Sequence, residues 1–246
     1  KKIYLHFNVG WGIKNADKII AISNYTKNEI ATYHKISNKV MSKINVIYEG
    51  WEHLQNTSQP DKKINIPFKK YLFYVGSSRG HKNLSALLKA FQLASKRLSG
   101  EWGLIITGKS ERLSADDRNV ISAINSNGKK VYLTEWVSDE ILSFYFKRAT
   151  GFIFPSLSEG FGIPILEAFY YNVPILCSNN TVFPEIANDA ALYFDPTNIE
   201  DISNTIISFS VMSKDEINKI TNKGENYLKR YSWNITANKI LELFLI

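Results

Sequence analysis

Cysteine is almost absent. Cys177 stands alone among 246 residues, so no internal disulfide can form and a reducing compartment is the simple expectation. It lies in the apolar run Val173-Pro-Ile-Leu-Cys177 and reads as a small buried hydrophobe rather than a nucleophile or redox centre. Histidine is scarce as well, and His6, His34, His53 and His81 fall at no metal-ligand spacing. Long apolar runs are missing. The foremost candidate, Ile163 to Leu176, is broken by Pro164, Glu167, Asn172 and Pro174, and nothing is long enough to span a bilayer. There is no low-complexity tract, no block of like charge and no short-period repeat, which argues against a disordered or fibrous chain. An initiating methionine is also lacking. Lys1 and Lys2 lead, which suggests a numbering that begins inside a longer protein, and no secretory signal is visible there.

What is present is ordinary globular material, 44% hydrophobic and 13% aromatic, enough for one large domain or two small ones. The net charge of +7 suits a phosphate-rich ligand, an anionic membrane surface or nucleic acid. The basic residues are scattered, with no Lys/Arg-rich helix and no basic patch interleaved with aromatics, so nucleic acid is unsupported. Solvated lysine faces explain most of the excess.

Apolar runs alternate with helical patterns along nearly the whole chain. Lys18–Ser23 reads as a short buried strand, 24–36 as a helix with a Ser or Asn cap, and 44–48 as a second strand. From 54 to 70 the pattern dissolves into Gln, Asn, Ser, Pro, Asp and Lys, which reads as a linker and a domain boundary. Strands are then expected at 71–75, 103–107, 131–133, 151–154, 173–177 and 191–194. Helices are expected at 83–98, 115–125, 139–148, 163–171 and 184–187. The tail from 199 reads as helical throughout, with Trp233 opening the last helix. Short apolar strands alternating with helices predict an α/β fold, a parallel sheet with helices on both faces. Ligands of such sheets sit outside the carboxyl ends of the strands, which directs attention to the loops after Val75, Thr107, Leu133 and Phe154.

The loop after Phe154 carries the argument. It reads Pro155-Ser-Leu-Ser-Glu-Gly-Phe-Gly-Ile-Pro-Ile-Leu-Glu167. Gly160 and Gly162 allow close backbone approach to a ligand, and Pro164 suits the first turn of a helix. The amides at that helix start, with the positive end of its dipole, suit a phosphate. Glu159 lies in the loop and Glu167 about a turn into the helix. Carboxylates accept from vicinal diols, so Glu167 suits a ribose and Glu159 a hexose. The bland alternative, a tight turn with two exposed acids, leaves the flanking pair of carboxylates unexplained.

Glu159 to Glu167 resembles the Glu-x7-Glu motif of the family 4 retaining glycosyltransferases, which adopt the GT-B fold. Flanking text agrees: Val173-Pro-Ile-Leu-Cys-Ser178, Phe183-Pro-Glu-Ile186, Ala190-Ala-Leu-Tyr-Phe-Asp-Pro196 and Tyr74-Val-Gly-Ser-Ser-Arg-Gly-His-Lys-Asn83. Ala16–Ser23 resembles the last strand of the family's N-terminal domain, and the helix after Tyr231-Ser-Trp233 its crossover helix. The resemblance implies a Rossmann-like C-terminal domain at 71–230, a linker at 54–70, a remnant of the acceptor-side domain at 1–53 and a crossover helix at 231–246. It implies catalytic roles for Lys82, against the donor diphosphate, and Glu159, against the donor sugar. Glu167 would hold the ribose. The amides of Gly160, Phe161, Gly162 and Ile163 would cradle phosphate and sugar. Gly76 would line the donor site, and Trp136-Val137 match the loop against the nucleobase, with Trp136 divided evenly between base contact and core packing. Arg79 stands where the family's phosphate-binding Arg is offset, so a contact and a solvated loop charge weigh equally. His81, Gly108 and Lys109 read as loop and turn residues, and His6 as a strand remnant.

The activity so implied is transfer of a hexosyl group, with retention, from a nucleotide-diphosphate sugar to a saccharide or lipid-linked saccharide in surface polysaccharide synthesis. A donor phosphate oxygen would take the acceptor proton on the face the leaving group departs from. No cofactor and no metal are expected beyond that donor. The expected setting is cytoplasmic, with peripheral contact to the inner face of the cytoplasmic membrane. A truncated, non-catalytic nucleotide-sugar-binding module that needs a partner domain is the main alternative. A phosphorylase would need a lysine carrying pyridoxal phosphate, and no segment here resembles that site. Against a dinucleotide dehydrogenase, Gly76-Ser-Ser-Arg-Gly80 does not reproduce Gly-x-Gly-x-x-Gly, and no acidic residue falls at the expected strand end.

Overall fold

A computed structural model describes backbone and side chains at 8–53, 55, 57, 64–77, 79–126, 128 and 130–245, and the backbone alone at 2–7 and 54. The chain opens with α1 (Lys2–Asn15), β1 (Ile19–Ala21), α2 (Asn24–His34), α3 (Asn38–Met41) and β2 (Ile44–Val46). β1 and β2 pair in parallel as a separate two-stranded sheet. Beyond them come β3 (Lys70–Val75), α4 (Leu84–Ala94), β4 (Trp102–Thr107), α5 (Ala115–Asn125), β5 (Val131–Leu133), α6 (Asp139–Phe146), β6 (Gly151–Phe154), α7 (Ile163–Tyr170), β7 (Ile175–Ser178), α8 (Phe183–Ala187) and β8 (Ala191–Phe194). Three helices close the chain, α9 (Ile199–Ser210), α10 (Lys214–Leu228) and α11 (Trp233–Phe244).

The main sheet is entirely parallel, in the order β5-β4-β3-β6-β7-β8. Its inner strands are apolar without alternation because both faces are covered. Every residue of β4, β6 and β7 is buried. The two-residue period of a strand sends Phe73, Ile105, Phe152, Phe154, Ile175 and Cys177 to one face, against Phe146 of α6, Leu166 and Phe169 of α7 and Ile186 of α8. Leu72, Tyr74, Leu104, Ile106, Ile153 and Leu176 go to the other, against Leu87 and Phe91 of α4, Ile121 of α5 and Ile206 and Phe209 of α9. Cys177 is thus core, as its apolar setting predicts, and burial pushes its thiol far above the ordinary range.

The expected strands and helices from 70 to 194 are present, with ends shifted by a few residues. The tail is helical as expected, with the last helix opening at Trp233, and a further break precedes α10. A Ser213–Glu216 capping box starts α10, and Ser232 caps α11 by accepting from Ile235 N–H, so local side-chain bonds cut the segment into three. The expected strand remnant around His6 is instead the helix α1, and the His6 side chain lies outside the described residues. The 54–70 segment is described only in part, at 54, 55, 57 and 64–70.

One carboxylate fastens the small sheet to the large one. Glu185 of α8 accepts from the Asn24 and Tyr25 backbone N–H groups at 2.8 and 3.0 Å. It also accepts from Asn24 Nδ2 at 3.0 Å and from the Tyr48 hydroxyl at 2.9 Å. Those amides belong to the first turn of α2, where N–H groups lack intrahelical partners and an anion is favoured. Burial, and then Glu185 itself, push the Tyr48 hydroxyl up to about 12. Glu185→Ala is expected to speed amide exchange in 19–34 by about tenfold or more, from the loss of charge-assisted hydrogen bonds, while the β3–β7 amides stay protected. Equal loosening of both sheets in a hydrogen-exchange measurement would contradict this local role.

Candidate functional site

The chain reverses its direction of travel across the sheet between β3 and β6. β3 feeds α4 on one face, and its neighbour β6 feeds α7 on the other. Loops that diverge to opposite faces leave a crevice at the strands' carboxyl ends. Lys82 and Glu159 meet across it.

From β3 the chain passes Gly76 into a single 3-10 turn at Gly80–Lys82, ended by Asn83 in the left-handed conformation at φ 56°. Asn tolerates that region better than other residues with side chains. Its Nδ2 donates to the Pro155 and Pro196 carbonyls at 3.0 and 2.8 Å, and Leu157 N–H donates to the His81 carbonyl at 2.7 Å. The two loops are therefore bound to each other directly. Lys82 Nζ lies 2.7 Å from Glu159 Oε1 and 5.3 Å from the centre of the Phe154 ring. Both side chains are largely enclosed, 21% and 15% exposed, where a charge pair is screened less than at the surface. Arg79 and His81 are exposed.

Gly162 precedes α7 at φ 96°, a conformation costly for any other residue, and Pro164 occupies the first turn. Pro164 carries no N–H and Ile165 N–H donates to the Gly162 carbonyl at 2.9 Å, which leaves Ile163 N–H as the first-turn amide without an intrahelical acceptor. The Gly160 carbonyl is held from the other side by Ser23 Oγ at 2.7 Å and Thr26 Oγ1 at 3.0 Å. Phe161 is buried, stacked on Tyr48 and edge-on to Tyr231, and Ile163 is half-buried. Glu167 is buried, and its Oε1 lies 2.9 Å from His53 Nε2.

Beside this crevice, at the ends of β3, β4 and β5, lies a cleft of about 360 Å³. Gly76, Gly108, Lys109, Glu135, Trp136 and Val137 contribute to its lining. Gly108 is at φ 148°, and a Cβ there would fall 2.6 Å from the Gly76 carbonyl oxygen, so the two loops can approach only because it is glycine. Glu135 accepts from Ser110 N–H at 3.0 Å, and the bonds from Ser110 hold its carboxyl below the usual range. Trp136 is 76% exposed. That rules out core packing and leaves its ring available at the rim.

Three things escaped sequence reasoning. His53 reaches Glu167 from 114 residues away, and no local pattern links them. Ser23 and Thr26 look like a helix cap and also grip the glycine loop. Third, Ser156 Oγ, Asn180 Oδ1 and Thr181 Oγ1 are buried without a hydrogen-bond partner among the described residues, and Thr181 has φ 54°. All three follow β6 or β7 at the carboxyl edge, and strain and unpaired polar atoms concentrate at functional sites. Among the described residues no three His, Cys, Asp or Glu side chains are grouped to hold a metal ion.

Fold and site together define a doubly wound α/β protein with a polar crevice at its topological switch point. Residues 56–227 match the family model for glycosyl transferases group 1, and the chain belongs to that family. It is 34% identical over 184 residues to O-antigen chain mannosyltransferase B of Escherichia coli, covering 73% of this chain and 47% of that one. It is 26% identical over 234 residues to O-antigen chain mannosyltransferase RfbU of Salmonella typhimurium, covering 95% and 61%. The chain thus spans about half to three-fifths of the length of these relatives. A sucrose-phosphate synthase from Thermosynechococcus elongatus superposes with a TM-score of 0.79 at 18% identity, over 97% of this chain and 60% of that one. That likeness shows a shared GT-B fold.

Two outcomes test this geometry. Asn83→Gly keeps the left-handed backbone but removes both side-chain bonds, while Asn83→Ala removes the bonds and adds backbone strain. Urea denaturation should show Ala as the more destabilised, with losses of roughly 1–3 kcal/mol for the bonds and about 1 kcal/mol more for strain. A reversed order would contradict the assignment. For His53, the hydrogen bond to Glu167 raises its pKa, burial opposes this, and the Glu167 and Asp139 charges and the Trp51 backbone add to the rise. A group with a raised folded-state pKa stabilises fully below its unfolded value, about 6.5, and loses that contribution as pH climbs through the folded value. The urea midpoint should therefore fall from pH 6 toward pH 9 by more than it does in His53→Gln. Parallel pH profiles would contradict the pairing.

Proposed function

We propose that this chain holds the nucleotide-sugar donor of a retaining glycosyltransferase that moves a hexosyl group onto a saccharide or lipid-linked saccharide during surface polysaccharide synthesis. The observation that carries the reading is the constellation at the switch point: an amino group and a carboxylate paired across the crevice, a glycine-led helix start, and a second carboxylate one turn further on. Lys82 has donors to spare beyond Glu159 and would neutralise charge building on a departing diphosphate. The amides of Gly160, Phe161, Gly162 and Ile163, at the start of α7, would receive phosphate and sugar oxygens. Glu159 would accept from sugar hydroxyls and Glu167 from the ribose diol. Gly76, Trp136 and Val137 would border the base, and Arg79 would approach the phosphates from the exposed loop. No metal is required in this scheme, because positioning and fixed positive charge carry the stabilisation. The E. coli and S. typhimurium relatives are named as O-antigen mannosyltransferases, which supports mannose as the hexose.

The same proposal includes the division of the chain. Residues 71–230 hold the donor, 1–53 belong to the acceptor side, 54–70 link them and 231–246 return to the acceptor side. In support, α11 is tied to the first segment: Trp233 N–H donates to the Glu52 carboxylate at 3.0 and 3.1 Å, and Thr236 Oγ1 to the Tyr48 carbonyl at 2.6 Å. Among the described residues no helix is long and apolar enough to cross a membrane. A cytoplasmic setting with peripheral contact to an anionic leaflet fits the +7 charge.

Calorimetric titration of this chain with UDP, GDP, ADP and dTDP tests the reading. One nucleotide is expected to bind, and Lys82→Ala should weaken it by about tenfold or more, the scale of a lost charge-assisted hydrogen bond. Glu167→Ala should weaken the bare diphosphate. Glu159→Ala should spare or tighten it, since Lys82 is then released, and weaken only the nucleotide sugar. Equal losses of the bare nucleotide in both glutamate variants would overturn the separate roles, and no binding at all would overturn the donor site.

A further inference from the structure

We infer that His53 is a positioning residue for the donor: it holds one oxygen of Glu167 so that the other is aimed at the ribose diol, and thereby sets how strongly the site prefers ribose over 2′-deoxyribose nucleotides. The inference rests on the reading of Glu167 as the ribose contact.

The geometry is asymmetric in an informative way. Glu167 is 7% exposed on α7, whereas His53 is 40% exposed on a separate turn. A buried carboxylate with two oxygens and about four lone-pair positions is poorly defined in orientation unless something fixes it. His53 Nε2, at 2.9 Å, engages Oε1 only, leaving Oε2 for a ligand. The Tyr171 hydroxyl, one turn along, is engaged with Ser143 at 2.5 Å.

The imidazole is itself rigidly mounted. His53 belongs to the 3-10 turn Glu52–Leu54. Glu52 on that turn accepts from Trp51 N–H at 3.0 Å and from Trp233 N–H, and Trp51 Nε1 donates to the Tyr231 carbonyl at 3.0 Å. Both anchors lead to the start of α11. The charged groups that bear on the ring are Glu167 from α7 and Asp139 from α6, with the Trp51 backbone as a further hydrogen-bond partner. All of these favour the imidazolium, which can donate from both nitrogens at once. A carboxylate braced by such a donor pays less ordering cost when a diol arrives than a rotating one does.

The test uses this chain with GDP and UDP, each beside its 2′-deoxy analogue, titrated at pH 6.5. For the nucleotide that binds, removal of the 2′-hydroxyl should weaken wild type about tenfold, the scale of a hydrogen bond to a charged group. His53→Ala should cut that ratio to about threefold or less. His53→Gln, which restores an N–H donor, should recover most of it. The ratio, rather than the affinity, is the readout, so a merely loosened fold does not imitate the effect, and thermal melting of each variant checks folding. A full tenfold ratio in His53→Ala, with the ratio lost in Glu167→Ala, would overturn the role of His53 alone. An undiminished ratio in Glu167→Ala would overturn the ribose reading beneath it.

Discussion

A parallel sheet covered on both faces can offer a ligand only the ends of its strands, and the rest of this molecule is organised around that constraint. β3, β4, β6 and β7 bury almost every side chain they carry, so none of those positions is free for chemistry. What remains is the carboxyl edge, and within it the single gap where the connections part to opposite faces. Lys82 and Glu159 are delivered to that gap by two loops whose positions are not left to chance. Asn83 ties the first loop to the end of β6 and to the start of the segment after β8, and the His81 carbonyl ties it to Leu157. Helix α2 and its Ser23 cap hold the second loop at the Gly160 carbonyl. The same apolar strands that make the core thus determine where polar side chains can be useful.

Much of this was legible along the chain. Buried strands are short apolar runs bounded by turn residues, and the spacing Gly160, Gly162, Pro164 marks a loop running into a helix at any reading. Glu159 and Glu167 were identifiable because their partners in the motif are sequence neighbours. Where the reading fell short, a partner distant in sequence is the main cause. His53 looked like one of four scattered histidines, yet it meets Glu167, and nothing along the chain set Glu185 apart, yet four donors from residues 24–48 converge on it. Trp136 was ambiguous for a related reason, since a large aromatic at a loop can fold inward or outward, and only its neighbours decide.

The electrostatics of the crevice follow from the way its acids are compensated. Two carboxylates close to one helix start would build up negative potential there if both stood alone. Neither does. Glu159 is matched by Lys82 on the opposite loop, and Glu167 by His53 from the segment that joins the two sheets. Each pair couples a residue of the glycine-loop region to a basic side chain from elsewhere in the chain. Burying such pairs adds little to stability, because desolvation offsets attraction, while removing one member leaves an uncompensated charge. Their value is therefore in position and not in strength. Lys82 offsets the charge of Glu159, and Lys82 and His53 hold the two carboxylates in defined orientations. A site whose polar groups are already oriented has little reorganisation left to do as charge shifts during reaction, and here that order comes from contacts between distant segments and not from the motif alone.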